Sequence, residues 1–122
     1  GGFVDPLKPQ GQVELSRNLQ IATAAIDSTG MCLFIAFAIL DQPETFQALI
    51  DLLNSFYGLS MTGDDVTQLG KDILKAEIEF NKKAGFTKAH DRLPRYFSRD
   101  KLAPHNAVFE VTDEELDNVF NW

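Results

Sequence analysis

In the stretch "QVELSRNLQIATAAID", apolar residues return at Leu15, Leu19, Ala22 and Ile26, steps of three and four that predict one face of a helix starting near Gln12. The same stretch lacks Gly and Pro and is rich in good helix formers, and Asp27 stands at its end. A second pattern, "LFIAFAIL", has no polar position at all, so a helix starting near Gly30 or Met31 is predicted to be buried all round, with Ser28 or Thr29 as its cap. "PETFQALIDLLNSFYG" carries Phe46, Leu49, Ile50, Leu53, Phe56 and Tyr57 on one stripe, with Pro43 and Gly58 where helix starts and ends prefer them. The next helix is predicted to be capped by Thr62 and to face inward through Val66, Leu69, Ile73, Ala76 and Phe80. Its first turn holds Asp64 and Asp65, its last Lys82 and Lys83, and Gly85 follows, which suits the helix dipole at both ends.

Beyond Gly85 the periodicity stops. "FTKAHDRLPRYFSRDKLAPHNAVFE" has two prolines and mixed charge and is predicted to be a long ordered loop, followed by a short helix from Thr112 in "TDEELDNVFNW". Residues 1–11, with two glycines and two prolines ahead of Gly11, read as an irregular lead-in. No hairpin signal or repeat occurs, so the expected fold class is all-α, a compact multi-helical domain spanning residues 1–122.

Composition then removes whole classes of function. Eighteen acidic against eleven basic residues give a formal charge of −7, which leaves no cationic excess for nucleic-acid phosphates. The ten-residue run "MCLFIAFAIL" is too short to span a bilayer, and a single cysteine cannot form an internal disulfide. Neither nucleic acid nor membrane is expected as a partner, and the expected location is cytoplasmic. Gly-rich phosphate loops, His-x-x-x-His and Cys-x-x-Cys spacings are absent. His90 and His105, in the loop, read as surface residues.

The segment "DSTGMC", Asp27 to Cys32, is where chemistry concentrates. A helix starting at Gly30 or Met31 would put its unpaired N–H groups and positive dipole end beside Cys32, favouring a thiolate ligand. Gly30 would let a flat ligand approach the backbone, and the Asp27 carboxylate can accept two parallel N–H bonds from a guanidine-like edge such as that of a pterin. The plainer alternative is a turn between two helices in a non-catalytic scaffold or interaction module, with Cys32 as a small buried hydrophobe.

"DSTGMC" resembles the D-x-x-G-L-C segment of the aldehyde ferredoxin oxidoreductases, with Met31 in place of the usual leucine. The stretch "LGKDILKAEIEFNKKAGFTKAHDRLPRYF" is similar to that family's long helix followed by Asn, a "GFT" turn and a D-x-LP-x-x-F loop. The likeness runs from about Gln12 to Phe97 and continues more weakly to the end. It implies the C-terminal domain of a tungsten-containing (or molybdenum-containing) oxidoreductase with a bis-pterin cofactor and a [4Fe–4S] cluster, oxidising aldehydes to carboxylic acids and passing electrons to ferredoxin. Carried over, Asp27 would hydrogen-bond the pterin, Gly30 and Met31 would line the same site through the backbone, and Cys32 would be one cluster ligand. No residue here would be catalytic. Asn81, Asp91, Leu93 and Pro94 match family positions and read as fold residues. The family's other three cluster cysteines, in C-x-x-C-x-x-x-C, have no counterpart in this sequence. The chain is therefore expected to be a fragment of a longer enzyme, partnered by upstream domains, and inactive and free of cofactor by itself.

Overall fold

The computed structural model describes residues 3–122. Helices α1 (Gln12–Ser28), α2 (Ile35–Asp41), α3 (Pro43–Tyr57) and α4 (Gly63–Lys83) are followed by a single 3₁₀ turn at Lys88–His90 and short helices α5 (Tyr96–Arg99) and α6 (Asp113–Asp117). The described residues contain no strand, only an isolated antiparallel bridge between Leu102 and Ala107. The fold is all-α and multi-helical, as the periodicity predicts. The contacts group into two compact units, one being Leu19–Phe80 and the other the chain up to Asn18 together with Asn81–Trp122.

Within Leu19–Phe80, α1, α3 and α4 meet through Ala25, Ile50 and Val66, with Phe46 and Met61 packed against them. Full burial of an aliphatic side chain such as Ile50, 2% exposed, stabilises by about 1.5–3 kcal/mol. Gly70 sets how closely α1 and α4 approach. A Cβ at that position would overlap the backbone carbonyl oxygen of Ile21 and lie 3.0 Å from its carbon. On α1 the buried residues are Ile21, Ala25 and Ile26; of the predicted face Ile26 is buried, while Leu15, Leu19 and Ala22 are exposed. On α4 the buried residues are Val66, Gly70 and Leu74, while Ala76 and Phe80 are exposed.

Helix ends follow the chemistry of their sequence. Pro43 begins α3 and Gly58, in the left-handed region at φ 66°, closes it, the Leu59 N–H reaching the Asn54 carbonyl. Asn54 also clamps the following turn, its amide donating to the Met61 carbonyl at 3.0 Å and accepting the Met61 N–H at 2.7 Å. Thr62 caps α4: its hydroxyl accepts the Asp65 N–H, and the Asp65 carboxylate accepts the Thr62 N–H at 2.8 Å. At the other end, Gly85 donates to Lys82 and Phe86 to Asn81, the paired bonds of a Schellman closure.

α2 departs from its expected form. It starts at Ile35, not at Gly30 or Met31, and contains no buried residue. Ser28 and Thr29 cause the shift, because their hydroxyls donate back to the Ala24 and Ile26 carbonyls at 2.9 and 2.6 Å. They close α1 and leave α2 uncapped. α2 packs on α3, yet Phe34 is 76% and Leu40 75% exposed, and Leu33 and Phe37 are also open.

In the other unit, α6 is capped by Thr112 and Glu115 and tied down by charge. Arg92 donates to Asp117 at 2.7 Å and approaches Asp113 at 3.2 Å, with Lys88 3.5 Å from Asp117. Arg17 donates to the Val119 and Asn118 carbonyls at 2.6 and 2.7 Å. The hydrogen bond from Arg92 holds the Asp117 carboxyl below its ordinary range, aided by the charges of Arg92 and Lys88. A depressed folded-state pKa contributes stability that is present above the unfolded value of about 3.9 and is lost as pH falls through the folded one. α6 is therefore expected to hold unchanged from pH 7 to 5 and to loosen below about pH 4. Amide exchange at Leu116 and Asp117 against pH measures this, and Asp117→Asn should remove part of the acid loss, leaving the part due to the Glu115 cap.

Candidate functional site

The connector between α1 and α2 brings the four sequence-predicted site residues into one short, largely open segment. Asp27 lies in the last turn of α1 with an exposed side chain. Gly30 follows at φ 77°, a left-handed conformation that favours glycine, and nothing lies within 4 Å of where a Cβ would stand. Its N–H donates to the Asp27 carbonyl at 3.2 Å, which draws the chain into a tight turn. Met31 is half-buried and donates its N–H to the Thr29 hydroxyl at 3.3 Å. Cys32 is a free, exposed thiol.

Two expectations change here. Because α2 begins three residues beyond Cys32, the cysteine does not sit in a helical first turn; its carbonyl accepts the Ile35 N–H at 3.0 Å. Its exposure also removes the alternative of a buried, inert cysteine. The lack of polar residues in "LFIAFAIL" signals that this segment needs cover, but periodicity cannot say whether the cover comes from this chain. Thr29 organises the turn: its hydroxyl accepts from the Met31 N–H and donates to the Ile26 carbonyl, so it does not cap α2.

Both histidines are exposed. The His90 ring accepts the Thr87 N–H at Nδ1, 3.0 Å away, closing the 3₁₀ turn. His105 lies in the turn between the bridged Leu102 and Ala107. Among the described residues, no group of three or more His, Cys, Asp and Glu side chains is arranged to hold a metal ion. The segment thus offers one thiol, one free-standing carboxylate and an open glycine backbone. That set fits a single ligand to a cluster held mainly elsewhere, plus contacts to the edge and face of a flat heterocycle.

The family described as "Aldehyde ferredoxin oxidoreductase, domains 2 & 3" matches residues 2–121. The chain belongs to the aldehyde ferredoxin oxidoreductase family. It is 38% identical over 84 residues to the tungsten-containing aldehyde ferredoxin oxidoreductase of Pyrococcus furiosus. The proteins of the same name from Pyrococcus horikoshii and Thermococcus kodakarensis are 34% and 33% identical over stretches of the same length. Each match covers 68% of this chain and 13% of the relative. No solved structure matches significantly. An all-α domain of this family is thus the setting of the Asp27–Cys32 turn. No helix among its described residues is long and apolar enough to cross a membrane.

Proposed function

We propose that the chain serves as one all-α domain of a longer aldehyde:ferredoxin oxidoreductase, forming one wall of its pterin site and donating one cysteine to its [4Fe–4S] cluster. The supporting observation is the connector itself: an exposed carboxylate, an open left-handed glycine and an exposed thiol follow one another within six residues. When bound, the tungsten (or molybdenum) bis-pterin and the cluster would supply the redox chemistry by which an aldehyde and water give a carboxylic acid, two protons and two electrons.

The residues of this chain bind and orient. Asp27 accepts a pair of N–H bonds from the pterin's guanidine-like edge, and its charge makes those bonds stronger than neutral ones. Gly30 keeps the ring's approach clear, since any Cβ would both strain the backbone and project into the space now open. Met31 contributes main-chain contacts, which explains why methionine can stand in for leucine there. Cys32 as thiolate supplies one of four cluster ligands, and the other three come from upstream domains. The exposed apolar surface of Leu33 and Phe34, just before α2, and of Phe37 and Leu40 on it is the surface those domains cover. An apolar patch of this kind marks an interaction site, and a wholly apolar face suits a permanent interface. Ferredoxin accepts the electrons, in a reducing, cytoplasmic setting that suits an unpaired exposed thiol.

A thiol reagent tests this reading without an activity assay. In the chain alone, Cys32 is expected to react rapidly under native conditions, and iron and tungsten are expected to be absent. In the longer cofactor-loaded polypeptide, the same cysteine is expected to be protected until the cluster is removed. Equal reactivity in the loaded and stripped forms would overturn its role as a ligand.

A further inference from the structure

Charge along this acidic chain is unevenly distributed. Residues 82–101 hold seven of the eleven lysines and arginines but only two of the eighteen acidic residues, leaving four cations against sixteen carboxylates elsewhere. Some of these cations are used internally: Arg92 and Lys88 pair with Asp113 and Asp117, and Arg99 pairs with Asp100 at 2.6 Å. Lys82, Lys83, Arg95 and Lys101 are exposed and have no ion pair among the described residues. Apolar surface is interleaved with them. Tyr96 and Phe97 stack with ring centroids 4.3 Å apart, and both are exposed, as is Leu102. All of these residues belong to the one compact unit that includes Asn81–Trp122.

We propose that this segment, from Lys82 to Leu102, is a docking surface for a separate acidic protein. Arg95, next in the chain to the exposed Tyr96 and Phe97, matches the composition of protein interfaces, where Tyr, Phe and Arg are enriched. The unpaired cations would meet carboxylates of an acidic partner in local contacts that salt weakens. A nucleic acid fits less well, because its evenly spaced phosphates would extend past the basic segment over the strongly acidic remainder. A lipid surface fits less well too, since α5, which lies wholly within the segment, is four residues long and cannot present an amphipathic face to a bilayer. The mixed charge also separates this surface from the wholly apolar face of α2. Charged, partly apolar patches suit partners that come and go, whereas the α2 face suits permanent cover.

The test is a titration of the isotopically labelled full chain with three probes: a synthetic peptide alternating glutamate and phenylalanine, a single-stranded oligonucleotide of similar charge, and phosphatidylserine vesicles. The peptide is expected to shift the amides of residues 82–102 and to bind more weakly as salt rises. It should bind about tenfold more weakly to the Arg95→Glu/Lys101→Glu variant. Neither residue is in an ion pair, so the helix content should be kept, and Lys71→Glu/Lys75→Glu should leave binding unchanged. Tighter binding of the oligonucleotide or the vesicles, or peptide shifts outside the segment, would overturn the proposal. So would resistance of Lys82, Lys83 and Lys101 to amine acetylation in a longer polypeptide containing the chain, which would mean the surface is already covered.

Discussion

Gly70→Ala is expected to lower the melting temperature by roughly 8 °C, although alanine is the better helix former. Two effects of opposite sign compete. Glycine in a helix interior costs about 1 kcal/mol relative to alanine, so on propensity alone the substitution in α4 would stabilise. Against this, the new Cβ would overlap the Ile21 carbonyl oxygen and stand 3.1 Å from the Ile21 Cγ2. The nearest obstacle is backbone, which cannot rotate away, so α1 and α4 must move apart and loosen the cluster of Ala25, Ile50 and Val66. Overpacking of this kind costs about 3 kcal/mol, which leaves a net loss of about 2 kcal/mol. At Gly58 the φ of 66° makes alanine strained, but nothing lies within 4 Å of its Cβ position. Gly58→Ala should therefore cost only about 1 kcal/mol. Thermal unfolding of the two variants side by side decides between close packing and propensity. A melting temperature raised by Gly70→Ala would mean that α1 and α4 do not approach as closely as described.

The helices that the sequence reveals most clearly are those whose ends carry strong local chemistry. Pro43 and Gly58 bracket α3, and Thr62 with the Lys82–Gly85 turn brackets α4, because each end can be satisfied by residues within a few positions. Orientation is less legible. The periodicity of α1 points to Leu15, Leu19, Ala22 and Ile26, of which only Ile26 is buried; the close approach of Ile21 to Gly70 is a tertiary effect that one helix's pattern does not contain. The start of α2 is hidden for a related reason. A serine or threonine between two helices can cap the second or bond back to the first, and here both hydroxyls do the latter.

The site shows the same split. Asp27, Gly30 and Cys32 stand out in the sequence as a carboxylate, a flexible position and the single cysteine, and the structure leaves all three open. The exposure of Phe34 and Phe37 is not legible, because a run without polar residues predicts burial and is silent about the burying surface.

Cys32→Ser is expected to cost the longer enzyme its cluster while leaving this domain folded. The side chain is exposed and takes no part in the core of Ala25, Ile50 and Val66, so the substitution has no packing to disturb. A serine hydroxyl is a poor substitute for a thiolate, and a four-iron cluster rests on four such ligands. Asp27→Asn is the contrasting variant: it keeps the thiol, replaces a charged acceptor of paired N–H bonds with a neutral amide, and should weaken pterin retention without changing iron. The direct measurement is iron content per polypeptide, on the longer protein purified without oxygen, for the parent, Cys32→Ser and Asp27→Asn. If Cys32 ligates the cluster, the parent and Asp27→Asn hold about four irons and Cys32→Ser loses at least half of them. Equal iron in the parent and Cys32→Ser would contradict it.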